Sequence, residues 1–299
     1  MIKFFLIVVY NLIHFLPTQA QEKASKNLPG QYKKYHRPIM AKLGIGEFQS
    51  AILELKIYLR KAPHDAETLF CLALAYSGSG DGTEALNYAK KAMSEGLPLE
   101  RFIAGPRSLN EELLKTDGFV EIMRSSSVKL VHGPMIGDLS SDSVKIWVRA
   151  SKESEIKVVI EGVTAERVMA LAKNDYTALI QIKGLDPDTF YHYQIFQDDH
   201  TIDLGIEPGF RTQKKGGGET IKIIFGGGAG FTPKYERIWR TIKDHKPDAL
   251  LLLGDNVYID RPEIREVGQY CYFRRQSRPE WRKLIAGVPV YAIWDDHDF

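Results

Sequence analysis

The pattern of apolar and polar positions changes period three times along this 299-residue chain. Between residues 35 and 125, Ala41, Gly46, Glu47, Ala51 and Ile52 recur as Ala75, Gly80, Asp81, Ala85 and Leu86, at a constant offset of 34. Small residues at 51 and 85 let paired helices approach closely, Gly46 and Gly80 fall in the turns between helices, and Pro63 and Pro98 close the units. From Val128 to about Thr212 the period is that of strands. Val144, Ile146 and Val148 alternate with Lys145 and Trp147, and Ile156, Val158 and Ile160 alternate with Lys157 and Glu161. Beyond the linker-like run Gln213 to Gly218, the pattern predicts a buried strand over Ile221–Phe225 and a helix starting at Thr232-Pro233. Tyr235, Ile238, Trp239 and Ile242 share one face of that helix, a second buried strand runs over Ala249–Leu253, and a third over Val288–Trp294. Strand, helix, strand in this spacing predicts a βαβ unit on a parallel sheet.

The 34-residue repeat resembles a tetratricopeptide pair, with Gly96 to Met123 as a cap. Two such repeats are marginal alone, so docking on the following domain is expected. The strand region is read as an antiparallel immunoglobulin- or fibronectin-like β-sandwich of roughly ninety residues. Tyr191, after the loop Leu185-Asp186-Pro187-Asp188, is placed like the tyrosine corner of such sandwiches, and Trp147 and Tyr191 are read as packing residues.

The N-terminus adds an export signal. Lys3, the apolar run from Phe4 and the small-residue close Pro17-Thr18-Gln19-Ala20 have the layout of a secretory signal peptide cut after Ala20. The run is too short and interrupted for a stable membrane span. The expected organisation is a signal peptide over 1–20, a flexible lead-in over 21–34 and a helical domain over 35–125. A sandwich over 126–212, a linker over 213–219 and an α/β domain over 220–299 follow. The expected location is secreted or periplasmic. A net charge of +2 with scattered basic residues gives no reason to expect nucleic-acid specificity. Cys71 and Cys271 fall in different expected domains, so no disulfide is expected between them.

Two clusters carry the chemistry, each directly after an apolar run: Gly254-Asp255-Asn256-Val257-Tyr258 and Trp294-Asp295-Asp296-His297-Asp298-Phe299. A carboxylate at Asp255 can bridge metal ions, the Tyr258 phenolate can bind a hard ion, and Asn256 and Asp260 could add oxygens. Three carboxylates within four residues, Asp295, Asp296 and Asp298, repel one another unless a cation compensates them. Both clusters sit at strand C-termini, where open α/β sheets place ligands.

Here the chain resembles a known family. Val131-His132-Gly133-Pro134 through Ser143–Arg149 looks like the N-terminal sandwich of alkaline phosphatase D (PhoD-like) proteins. Pro247-Asp248-Ala249 to Tyr258 and Val288 to Phe299 look like their metallophosphoesterase domain. The resemblance covers roughly 128–299 and excludes the helical region. It implies a multidomain fold: α-helical tetratricopeptide-like repeats, then a β-sandwich, then the first half of an α/β metallophosphoesterase domain. It implies phosphomonoester or phosphodiester hydrolysis at a binuclear site holding Fe and/or Ca. Carried over, Asp255 is the bridging carboxylate and Tyr258 an iron ligand, while Asp296 takes the place of a metal-binding Asn. His297 lies near the substrate phosphate as a general acid or contact, and Asp295 and Asp298 are outer or calcium-type ligands.

The chain departs from the family twice. Gly228, in Phe225-Gly226-Gly227-Gly228-Ala229-Gly230, stands where the family has an iron-binding Cys. Cys271 is a candidate replacement thiolate, and the glycines could instead present backbone N–H groups to an anion. The chain also stops at Phe299, before further His ligands, so an incomplete and inactive domain is expected. Arg274 and Arg275 are candidates for bidentate phosphate contact. The leading expectation is an exported phosphoester hydrolase. The alternative is a non-catalytic exported interaction protein that recruits a protein partner through its helical repeats and sandwich. A nucleotide-binding module using the glycine loop is a third possibility.

Overall fold

A computed structural model of the chain describes residues 34–160, 162–163, 166–216, 220–230 and 236–298. The expected signal peptide, the expected lead-in up to residue 33, residues 217–219 of the expected linker, the Thr232-Pro233 helix start and Tyr235 lie outside the described residues. No helix among the described residues is long and apolar enough to cross a membrane.

Among the described residues, seven helices come first: α1 His36–Gly44, α2 Phe48–Lys61, α3 Ala66–Gly78, α4 Gly82–Ser94, α5 Glu100–Ala104, α6 Arg107–Lys115 and α7 Asp117–Ser125. The 34-residue period is also a period of backbone hydrogen bonding. Glu47 N donates to Lys42 O as Asp81 N does to Tyr76 O, and Gly46 N donates to Leu43 O as Gly80 N does to Ser77 O. Both glycines have a positive φ, +83° and +90°, which a side chain would strain. Ala51 and Ala85 are fully buried where the hairpins close. Asp65, Asp81 and Thr116 cap α3, α4 and α7 by accepting from the N–H groups of Thr68, Glu84 and Phe119.

The strand region forms two antiparallel sheets. One has the order β1 (Leu130–Gly137), β2 (Ser143–Ala150), β5 (Thr177–Lys183). The other has the order β4 (Glu166–Ala170), β3 (Ser154–Ile160), β6 (Phe190–Gln197), β7 (His200–Thr201), with β8 (Gly209–Arg211) also paired to β6. Val144, Ile146, Val148, Ile156, Val158 and Ile160 all face the shared core, as their alternation predicts. Tyr191 Oη accepts from Asp186 N at 2.8 Å, five residues upstream.

The last unit is a parallel sheet in the order β9 (Ile223–Gly226), β10 (Ala249–Leu253), β11 (Val290–Ile293). Helices α8 (Ile238–Asp244) and α10 (Pro279–Ile285) cover one face, where Trp239 meets Trp281 edge-on at 4.7 Å. The strands were expected to be buried, but Leu253, Tyr291 and Ile293 are exposed. The described residues pack only one face of the sheet.

The remaining helix, α9 (Arg265–Gln276), corrects the expected domain separation. Its Val267, Tyr270 and Cys271 belong to the same core as Phe70, Cys71 and Leu74 of α3. The two cysteines therefore share one interior, both as free thiols. Arg274 does not contact a phosphate site. It is buried, 3.5 Å from Glu67, which Arg101 also holds through two hydrogen bonds of 2.6 and 3.1 Å. Burial alone would raise the Glu67 carboxyl, but the two guanidinium groups hold it far below the carboxylate range. Arg275 is likewise buried, stacked on Trp239 at 4.8 Å and donating to Ala229 O. The sandwich is tied in by Tyr193 Oη donating to Ala286 O at 2.7 Å and by Arg149 Nη2 donating to Ala104 O at 2.9 Å.

Replacing Glu67 with Gln removes the buried carboxylate that Arg101 and Arg274 share. Urea unfolding is expected to show a loss of roughly 3–5 kcal/mol. A change below about 1 kcal/mol would mean that the charges are solvated.

Candidate metal centre

Strand register builds the site. Leu253 of β10 lies opposite Ile293 of β11, and Leu252 opposite Gly226 of β9. The loops that follow all three strands therefore leave the sheet together at its C-terminal edge. The first two loops join through Gly228 N donating to Gly254 O and Ala229 N to Asp255 O. Gly254 must be glycine. Its φ is +97°, and a Cβ there would lie 2.5 Å from Cβ of Asp295. Asp255 and Asp260 follow in left-handed conformation, at φ +51° and +55°, which Asp tolerates better than most residues.

Asp298 joins the second loop to the third. It is buried, its Oδ1 accepts from Val257 N at 2.9 Å, and its Oδ2 accepts from Asn256 Nδ2 and Asp295 N at 3.2 and 3.1 Å. Asn256 Nδ2 also donates to Ile293 O at 2.8 Å, and Ile259 N donates to His297 O at 2.8 Å. Asp298, expected as a ligand, stitches the loops with both oxygens, and Asn256, expected to offer its oxygen, joins that stitching through its amide nitrogen. Asp295 is exposed, and its Oδ1 caps the N–H of Asp296.

Three of the expected residues converge. Asp255, Asp296 and His297 each offer a ligand atom, all within 4.8 Å of one another. Tyr258 lies beside them: its hydroxyl donates to Asp255 Oδ2 at 3.0 Å, and its ring centroid is 4.5 Å from that of His297. Asp255 Oδ1 is buried with no hydrogen-bond partner, and so is Asn256 Oδ1 next to it. Buried acceptors without partners are rare in folded proteins. Carboxylate oxygens beside one imidazole fit a hard or borderline divalent cation, and the orphaned Asp255 Oδ1 gives such an ion a place to bind.

Two other expectations fail for physical reasons. Gly228, Ala229 and Gly230 all spend their N–H groups on backbone carbonyls, so the glycine loop offers an anion no cradle there. Cys271 does not supply the thiolate missing at Gly228. Burial pushes its pKa up to about 12, and its thiol points at Tyr258 O, 3.7 Å away.

Asp260 has a different role from the one its position suggested. Its Oδ1 takes the Nδ1 of His297, and its Oδ2 pairs with Arg37 of α1. Partial burial would raise the Asp260 carboxyl, but the imidazole and the guanidinium outweigh it and hold it below its ordinary value. The hydrogen bond to Asp260 in turn raises His297, aided by the charges of Asp296 and Asp255. Arg37 was missed by sequence reasoning. It lies 223 positions before Asp260, and no spacing rule links them.

Comparisons with known proteins reach only parts of the chain. Residues 127–213 match a family model described as a domain of unknown function (DUF7800). No curated protein matches. A solved structure of PhoD is 18% identical, with a TM-score of 0.49 over 57% of this chain and 40% of that one. The sensor domain of the anti-sigma factor RsgI4 from Pseudobacteroides cellulosolvens is 15% identical, with a TM-score of 0.23 over 30% of this chain and 98% of that one. The fn3 domain of human contactin 1 is 18% identical, with a TM-score of 0.19 over 28% and 77%. The chain thus spans 40% of the length of the PhoD structure it resembles.

His297 is expected to titrate above the ordinary histidine value of 6.5. The stability from its charged contact with Asp260 is present in full below that ordinary value and is lost as pH rises through the raised one. Imidazole NMR of His297 checks this. In Asp260→Asn the midpoint should fall, and a midpoint that does not move would exclude Asp260 as the cause.

Proposed function

We propose that this chain belongs to an exported phosphoester hydrolase of PhoD-like type. The observation that carries this reading is the convergence of Asp255, Asp296 and His297 at the C-terminal edge of a parallel sheet, with Asp255 Oδ1 left unpartnered in a buried position. Asp255 and Asp296 would hold a divalent or trivalent ion, with Tyr258 beside them. Bound there, such an ion lowers the pKa of a water molecule and offsets charge developing on phosphoryl oxygens. A second ion, as the resemblance implies, needs donors beyond these three.

The chain's own residues then divide the remaining work. Tyr258, bonded to Asp255, fixes the orientation of that carboxylate. Asp260 engages Nδ1 of His297, which leaves Nε2 as the nitrogen that can carry a proton towards a leaving-group oxygen. The same hydrogen bond raises the pKa of His297, which favours the doubly protonated ring that such a transfer needs. Gly228 in place of a thiolate favours oxygen-preferring ions such as calcium or manganese over a site tuned to ferric iron.

Asp255→Asn is expected to abolish both metal uptake and any hydrolysis of bis-p-nitrophenyl phosphate or p-nitrophenyl phosphate. Metal content is read by elemental analysis after loading with iron, calcium or manganese. If metal and activity both survive the substitution, the assignment is wrong. If the wild-type chain takes up no metal, the non-catalytic interaction protein becomes the better reading.

A further inference from the structure

We propose that Arg37, on the first helix of the N-terminal helical unit, is a positioning residue for the candidate centre. It fixes the turn that carries Tyr258 and the carboxylate that aims His297. This rests on the reading of the centre given above and goes beyond it, because it makes the helical unit part of the site.

The geometry is a two-handed grip. Arg37 Nη1 donates to Tyr258 O at 2.8 Å and also pairs with Asp260 Oδ2. The other oxygen of Asp260 holds His297 Nδ1. One guanidinium therefore fixes the backbone of one site residue and, through a single carboxylate, the ring of another. Asp260 sits at φ +55°, a conformation that needs support from its surroundings. Arg37 is 19% exposed and Asp260 29%, so the pair is screened less than a surface pair.

Arg37 is itself held in place. Its neighbour His36 is buried and bonds Asp65 and Thr68 at the start of α3 through Nε2, at 3.2 and 3.0 Å. At the other end of α1, Gly44 packs so close to the entry of α9 that a Cβ would lie 2.3 Å from Ile264 Cγ2 and 3.0 Å from Glu266 Oε2. Helix α1 is thus pinned at both ends, one end to its own unit and the other to the segment behind the centre.

The test compares wild type, Arg37→Ala, Arg37→Lys and Asp260→Asn in the full chain. Three properties are read: the downfield Nδ1–H resonance of His297, manganese affinity by calorimetry, and urea unfolding. In Arg37→Ala the Nδ1–H resonance should broaden or move towards the position of a freely rotating imidazole. Manganese affinity should fall about tenfold, the usual scale for a partner that orients a ligand. Arg37→Lys should restore part of both, because it keeps the charge but loses the planar fork. Asp260→Asn should match Arg37→Ala at the His297 resonance. An unchanged resonance and unchanged affinity in Arg37→Ala would reduce Arg37 to a docking contact and overturn the proposal. If wild type binds no manganese, the reading of the centre fails, and the His297 resonance still decides the role of Arg37. If Arg37→Ala shows no cooperative unfolding, Arg37→Lys and Asp260→Asn decide: wild-type resonances in both would overturn the proposal.

Discussion

The carboxylate of Glu67 is the buried charge on which the arrangement of the molecule turns. Left alone in the interior, it would cost several kcal/mol and would take up a proton instead. Arg101 from its own helical unit and Arg274 from α9 prevent that. Because Arg274 lies more than two hundred positions downstream, the full ion cluster forms when α9 docks on the helices. Docking brings Tyr270 alongside Phe70, with ring centroids 6.5 Å apart, and places Cys271 in the same core. It also sets the segment from Val257 to Val267 against α1. The wall behind the candidate centre is therefore built in part from residues that precede the sandwich.

This explains which parts of the structure were legible in the sequence. The helical hairpins, the alternating strands and the parallel sheet follow from local periodicity, and β10 and β11 lie within the apolar runs that predicted them. The pairing of the two acidic loops was legible for a related reason. Asp255 and Asp295 are 40 positions apart, the same offset as the Leu253–Ile293 register, so both loops leave the sheet side by side. The roles of Arg274 and Arg275 were not legible. A helix with mean polar character and two terminal arginines reads as solvated, or as aimed at phosphate. What buries it is a surface encoded two hundred residues earlier. Arg37 escaped notice for the same reason, since its partners share no period with it.

Within the acidic loop, composition suggested several equivalent ligands, and the fold separates them. Asp298 turns inward from a short 3-10 turn, Asp296–Asp298, and accepts from two backbone N–H groups and one side-chain amide. A cation would have to break this loop-to-loop stitching to reach it. Asp295 spends one oxygen on the N–H of Asp296. Asp255 differs from both: one oxygen takes the Tyr258 hydroxyl and the other is buried without a partner. A buried carboxylate oxygen with no donor is unfavourable in the absence of a cation. The chain nevertheless holds it there, on a left-handed backbone directly after the positive-φ Gly254. Among the acids of these two loops, Asp255 is therefore the carboxylate whose surroundings most favour a neighbouring positive charge.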